Sequence, residues 1–144
     1  MATLTTNISA KQADPKPKNM VSGKELTPNF TIIPVTYTTT STDANADTIN
    51  LIKLPKGTKI LSGSSYVYSG ASTAGTSYTV TVGANADVDA LSTAIDIDTG
   101  GKVAFALTGV VELTSESYVT ATAAISGAVP NDVPVVFYLA VILP

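Results

Sequence analysis

Apolar and polar residues alternate in short runs along this chain, and almost nowhere does the spacing widen to the step of an amphipathic helix. The first run, Thr31 to Thr38 (TIIPVTYT), is dense in β-branched residues and reads as a strand. Pro34 has no amide hydrogen to donate, which confines that strand to a sheet edge or a bulge. The polar stretch TTSTDANAD reads as a loop, and TINLIKL (Thr48 to Leu54) is the next strand, ended by Pro55, Lys56 and Gly57. Thr58 to Ser69 reads as a strand bent or bulged at Gly63. GASTAG is a turn, and the alternation in SYTVTVG sets Tyr78, Val80 and Val82 on one face.

The segment ANADVDALSTAIDIDTGG is the one place where a helix is expected. Asp87 or Asp89 would cap a short turn through Ala90 and Leu91, and Gly100–Gly101 would stop it sharply. KVAFALTG alternates through Val103, Phe105 and Leu107, and Val110 to Thr114 is a short strand. YVTATAAISG puts Val119, Ala121, Ala123 and Ile125 on one side. The closing run VVFYLAVILP is apolar on both faces, which places it in the middle of a sheet. About eight strands at spacings of roughly 8–15 residues predict an all-β, two-sheet sandwich. Eight strands favour a jelly roll over an immunoglobulin-like arrangement.

The first stretch, Met1 to about Thr27, reads differently. Lys11, Lys16, Lys18 and Lys24 stand there against Asp14 and Glu25, a formal charge of +2. In DPKPK each proline pushes its predecessor into an extended conformation, so the segment is not helical. The expectation is an extended N-terminal arm over residues 1–27 and a β-sandwich over residues 28–144. The sandwich carries four lysines against nine acids, and the whole chain is at −3.

Composition narrows the chemistry. The chain has no His, Cys, Trp or Arg. It therefore lacks the usual general acid–base residue, thiolate metal ligands and the guanidinium fork that grips carboxylate or phosphate. A net negative chain without a basic stripe is not expected to bind nucleic acid, and no apolar run approaches the ~20 residues of a membrane-spanning helix. MATLTTNISAKQ lacks the basic start and apolar centre of a secretory signal, so the mature chain is expected to begin at Met1. Lys53, Lys56, Lys59 and Lys102 leave a Ser–Lys dyad formally open, but neither GxSxG nor SxxK accompanies them. Asp87 with Asp89, and Asp96 with Asp98, would each share a face at about 7 Å in an extended segment. That spacing suits neither a glycosidase pair nor an EF-hand, and the residues read as turn caps, with a weak surface calcium site as the remaining alternative. Tyr66, Tyr68 and Tyr78 read either as a sugar-binding face or as tyrosines bridging core and rim. The expectation is a non-enzyme without cofactors.

Three stretches together carry a resemblance. DTINLIKLPKGTKILSGSSYVYSG is a strand, a turn and a second strand, GTSYTVTVGANADVDAL follows it, and AVPNDVPVVFYLAVIL ends the chain. This order resembles the jelly-roll head decoration, or cement, proteins of tailed bacteriophages, over about Asp47 to Leu143. The resemblance implies homotrimers on the outer face of the capsid of a virion assembled in the host cytoplasm. They would clamp neighbouring major capsid protein subunits, with an extended arm reaching a neighbour. Lys11, Lys16, Lys18 and Lys24 are then the candidate capsid contacts, though no family motif covers the arm. A head-fibre or adhesin-type module that binds glycans is the alternative on the same fold.

Overall fold

The computed structural model describes residues 30–70, 77–129 and 133–144. The chain divides into two units, Met1–Phe30 and Thr31–Pro144, and the second carries the fold. The arm predicted over residues 1–27, with its four lysines, lies outside the described residues, as does most of GASTAG.

Among the described residues ten strand segments follow one another: β1 (Phe30–Thr38), β2 (Thr48–Leu54), β3 (Lys59–Leu61), β4 (Tyr66–Ser69), β5 (Ser77–Ala84), β6 (Asp87–Asp96), β7 (Gly101–Ala104), β8 (Val110–Glu112), β9 (Ser117–Ser126) and β10 (Pro134–Ile142). They form a six-stranded and a four-stranded sheet. In the first, β10 is central: β4 and β3 pair with successive stretches of it, β7 and β8 lie outside them, and β1 also pairs with β10. The second has the order β2–β9–β5–β6. Taking β3–β4 and β7–β8 as two interrupted strands gives eight, which alternate between the sheets except at the β5–β6 hairpin, as in a jelly roll. The expected fold class is thus the observed one.

The interruptions have a local cause. A 3-10 turn, Ser62–Ser64, separates β3 from β4 at Gly63, the position read as a bend. The turn carries the backbone away from β10 and leaves a gap in the ladder. Ser65 fills it, its Oγ accepting from the Ala140 N–H at 3.0 Å and donating to the Leu61 carbonyl at 2.8 Å. The outer strand breaks alongside, with the Phe105 N–H donating to the Ser65 carbonyl and the Ser62 N–H to that of Gly109. This is why KVAFALTG does not continue as one strand. Phe105 enters the core, whereas Leu107, expected on the same face, is exposed. Replacing Ser65 by Ala strands a buried N–H and a carbonyl together. We expect a loss of about 1–3 kcal/mol in urea unfolding.

The helix expected between Ala84 and Gly101 does not form; β6 occupies most of it. Asn85 and Ala86 both take positive φ, 54° and 63°, and Ala84 pairs with Asp87 across them. That is a two-residue type I′ hairpin turn, whose twist matches the strands it joins. Asn85 is fixed by its side chain, with Nδ2 donating to the Glu112 carbonyl and Oδ1 accepting from the Thr114 N–H. Leu91 and Ile95 are buried in the core, and a bulged pairing with β5 accommodates their spacing.

The core lies between the sheets. Tyr78, Val80 and Val82 of β5 and Val119, Ala121 and Ala123 of β9 face Val135, Phe137, Leu139 and Val141 of β10. Each fully buried large side chain contributes about 1.5–3 kcal/mol relative to exposure. Pro34 sits in β1, which pairs only with β10 among the described residues, in keeping with the edge position its missing N–H requires.

Candidate functional site

The two sheets present unlike outer faces. On the four-stranded sheet the central outward rows are polar: Thr48, Thr122 and Thr81 lie opposite one another across β2, β9 and β5, and Asn50 is opposite Thr120, while Tyr118, opposite Lys53, and Val88 of β6 are exposed apolar side chains. On the six-stranded sheet the outward rows are apolar and aromatic. Val67 and Phe137 point into the core, so their neighbours Tyr66, Tyr68, Val136 and Tyr138 point out. Two rows result, Val136–Tyr68–Lys102 and Tyr138–Tyr66–Ala104, across β10, β4 and β7. In β1, Ile33, Val35 and Tyr37 pack on the core, which turns Ile32 and Pro34 outward. Further along, Leu61 lies opposite Val110, and Lys59 opposite Glu112. Tyr68 is 55% exposed, Val110 60% and Ile32 45%.

The tyrosines are stacked in place. The rings of Tyr66 and Tyr138 lie 4.7 Å apart at 19°, and Lys102 Nζ stands 4.3 Å from the centre of the Tyr66 ring. Tyr66 is therefore held by aromatic contact on one side and a cation on the other. A sugar stacks on a free ring face, and Tyr66 has little face to offer. Tyr78, grouped with Tyr66 and Tyr68 in the sequence reading, belongs to the core instead.

Tyr78 has a different role. Its hydroxyl donates to Asp43 Oδ2 at 3.0 Å, and that of Tyr37 donates to Oδ1 at 2.7 Å. Thr40 adds its hydroxyl at 2.7 Å and its N–H at 3.2 Å. Burial alone would raise the Asp43 pKa, but these bonds outweigh it and hold the carboxyl below the usual range. Burial and the same carboxylate push Tyr37 up to about 12, and Tyr78 well above its ordinary value. Asp43 thus ties β1 of one sheet to β5 of the other. Nothing in the alternation marks it, because Asp43 lies in a loop and its partner across the sheets, Tyr78, is distant in sequence.

The remaining candidates do not converge. Lys53 lies 5.9 Å from the Tyr118 ring centre on the opposite sheet, Lys56 sits in the Pro55–Gly57 turn, and Lys59 and Lys102 are on the aromatic face. Asp96 and Asp98 do not share a face. Asp96 is exposed and caps the β6–β7 turn, accepting from the Thr99 hydroxyl and the Asp98 and Thr99 N–H groups, which lower its pKa. Asp98 is buried. Asp87 and Asp89 are both exposed, and the Asp87 carboxylate raises the pKa of Asp89. Among the described residues no three acidic, His or Cys side chains gather to hold a metal, and no helix is long and apolar enough to cross a membrane.

No family model and no curated protein matches the chain. Two solved structures that share its architecture come from phage capsids. A chain of the cyanophage Pam1 capsid asymmetric unit superposes with a TM-score of 0.62 at 18% identity, covering 86% of this chain and 91% of that one. A chain of the acidic stable capsid of Helicobacter pylori bacteriophage KHP30 gives 0.59 at 20%, covering 80% and 88%. At these identities the likeness establishes the fold.

Proposed function

We propose that this chain is a structural protein of a bacteriophage virion that decorates the capsid and stabilises it by clamping neighbouring major capsid subunits. The observation that carries this reading is the two-way coverage of the capsid chains. The match takes in 86% of this chain and 91% of the Pam1 chain. What is matched is therefore a chain of similar size within a capsid, and not one domain of a large shell subunit. The jelly roll supplies a rigid body with one apolar outer face, and the Lys-bearing arm (Lys11, Lys16, Lys18, Lys24) supplies reach across subunits. The copies act as a homotrimer on the outer surface. Binding assembled shell and not free subunits would stabilise the shell by mass action. The protein has no catalytic task in this reading, which suits a chain without His, Cys or Arg.

The glycan-binding alternative has less support, since Tyr66, one of the tyrosines of the exposed face, has its ring covered by Tyr138 and Lys102. The test is immunogold labelling and mass spectrometry of purified particles of the phage that encodes the chain. Labelling of intact particles, together with restored heat resistance when the protein is added to particles lacking it, is the expected result. Absence from particles, or labelling only after disruption, overturns the decoration reading.

A further inference from the structure

We infer that the aromatic outer face of the six-stranded sheet is an interface between copies of this chain, one that forms before the protein meets any other partner. The inference deepens the self-association in the proposed function by assigning it a face, and because it is argued from that face it can be tested apart from the virion location.

The contrast within the molecule comes first. Both sheets alternate along their strands, yet the outward rows of one are mostly Thr and Asn, with Tyr118 and Val88 as isolated exposed apolar side chains, whereas the other groups Ile32, Pro34, Tyr66, Tyr68, Val136 and Tyr138. A contiguous face of that kind marks a contact surface, whereas scattered apolar residues do not. Its extent is adequate. With strands about 4.8 Å apart and a rise of about 3.3 Å per residue, four strand widths as long as the nine-residue β10, β10 included, cover on the order of 600 Å². Two such faces meeting bury on the order of 1,200 Å², within the range of specific interfaces.

Charge decides among the occupants. A face made for a strongly acidic or basic partner carries one sign. Here Lys59 lies opposite Glu112 beside Leu61 and Val110, and Lys102 borders the tyrosines, so both signs flank an apolar centre. Such a surface is complementary to a second copy of itself. An apolar centre with few charges also fits the homotypic class, whose interfaces are more apolar than those of partners that meet and part. The Tyr138–Tyr66–Lys102 stack is ordered in advance, which lowers the entropy cost of docking. Pro34 interrupts the hydrogen-bonding edge of β1, so the contact is made by the face and not by extending the sheet.

The test is sedimentation velocity with light scattering on the full chain over a dilution series. It is run beside the double variant Ile32→Lys with Tyr68→Lys, and beside Thr79→Lys on the opposite sheet as control. The expected result is an oligomer for the parent and the control. The double variant should associate at least about a hundredfold more weakly, with an unchanged far-UV spectrum. If the lysine pair does not fold, Ile32→Thr with Tyr68→Thr keeps strand propensity and gives the same reading. A monomeric parent overturns the inference, as does a double variant that associates like the parent. So does a chain lacking residues 1–27 that associates when the full chain does not, because the chain's own segment would then cover the face. An oligomer broken by these variants, in a protein absent from virions, would leave this inference standing while the proposed function fell.

Discussion

Replacing Gly83 by Ala is expected to cost about 3 kcal/mol or more, a large effect for a single methyl group. A Cβ built on Gly83 would lie 2.7 Å from both Cα and the carbonyl carbon of Val88, and closer still to the Asp87 carbonyl oxygen. All three are backbone atoms of β6, crossing β5 just after the hairpin turn at Asn85 and Ala86. A flexible side chain could swing aside, but this backbone is held by the pairing of Ala84 with Asp87 and by the Asn85 bonds to Glu112 and Thr114. Relief would require the hairpin to open, which would break those contacts and loosen Leu91 in the core. For a domain of this size the loss corresponds to a fall in Tm of roughly 10 °C. Calorimetry of Gly83→Ala measures it. A fall of only two or three degrees would mean that β6 slides over β5 freely.

That close approach illustrates what the sequence could and could not tell. The glycine stands at the end of an evident strand, and nothing near it in sequence announces that another backbone lies on top. The strands whose sides differ in polarity were legible, as was the two-sided apolar run at the C-terminus, which does become the central strand β10. The bend at Gly63 was legible too, because glycine among serines interrupts an otherwise continuous run. The helix was misread for a physical reason. Asp, Ala, Leu and Ser between Ala84 and Gly101 favour a capped turn locally, whereas the hairpin at Asn85–Ala86 uses an alanine at positive φ where glycine would have signalled it.

The candidate site was less legible than the fold. Period-two alternation says which residues share a side of a strand, but not which side faces the partner sheet when both are apolar. In β10 every position from Val135 to Ile142 is apolar, so Val136 and Tyr138 separate from Phe137 and Leu139 only once the two sheets are in place. The cross-strand rows that join Tyr138 to Tyr66 and Val136 to Tyr68 depend on register between strands with five others between them in sequence, which local pattern does not encode. The four arm lysines lie outside the described residues, and their role stays with the proposal above.

Removing the Asp43 carboxylate, by Asp43→Ala, is expected to cost about 3 kcal/mol, because bonds to a charged acceptor are worth about 1.5–3 kcal/mol each and the Tyr78 hydroxyl is left buried without its partner. Tyr78→Phe, which removes the donor and leaves Asp43 its other bonds, should cost less, about 1–2 kcal/mol. The pH dependence gives an independent handle. The folded pKa of Asp43 lies below its unfolded value of about 3.9, so its contribution is complete above that pH and is lost as pH falls through the folded pKa. The tyrosines act at the other end. Their folded pKa values are raised, Tyr37 to about 12, so their contribution is complete below the unfolded value of about 10 and is lost as pH rises towards 12. Chemical unfolding of the parent should therefore show a plateau in stability between about pH 5 and 9, with one acid and one alkaline limb. In Asp43→Ala the acid limb should shrink without vanishing, because Asp96 is lowered by its own bonds to Thr99 and Asp98. The alkaline limb should shrink as well, because the carboxylate contributes to the upward shift of both tyrosines. A variant that lost stability equally at every pH would show that Asp43 serves the loop by packing alone, and that the link between the sheets through Tyr37 and Tyr78 carries no charge-dependent energy.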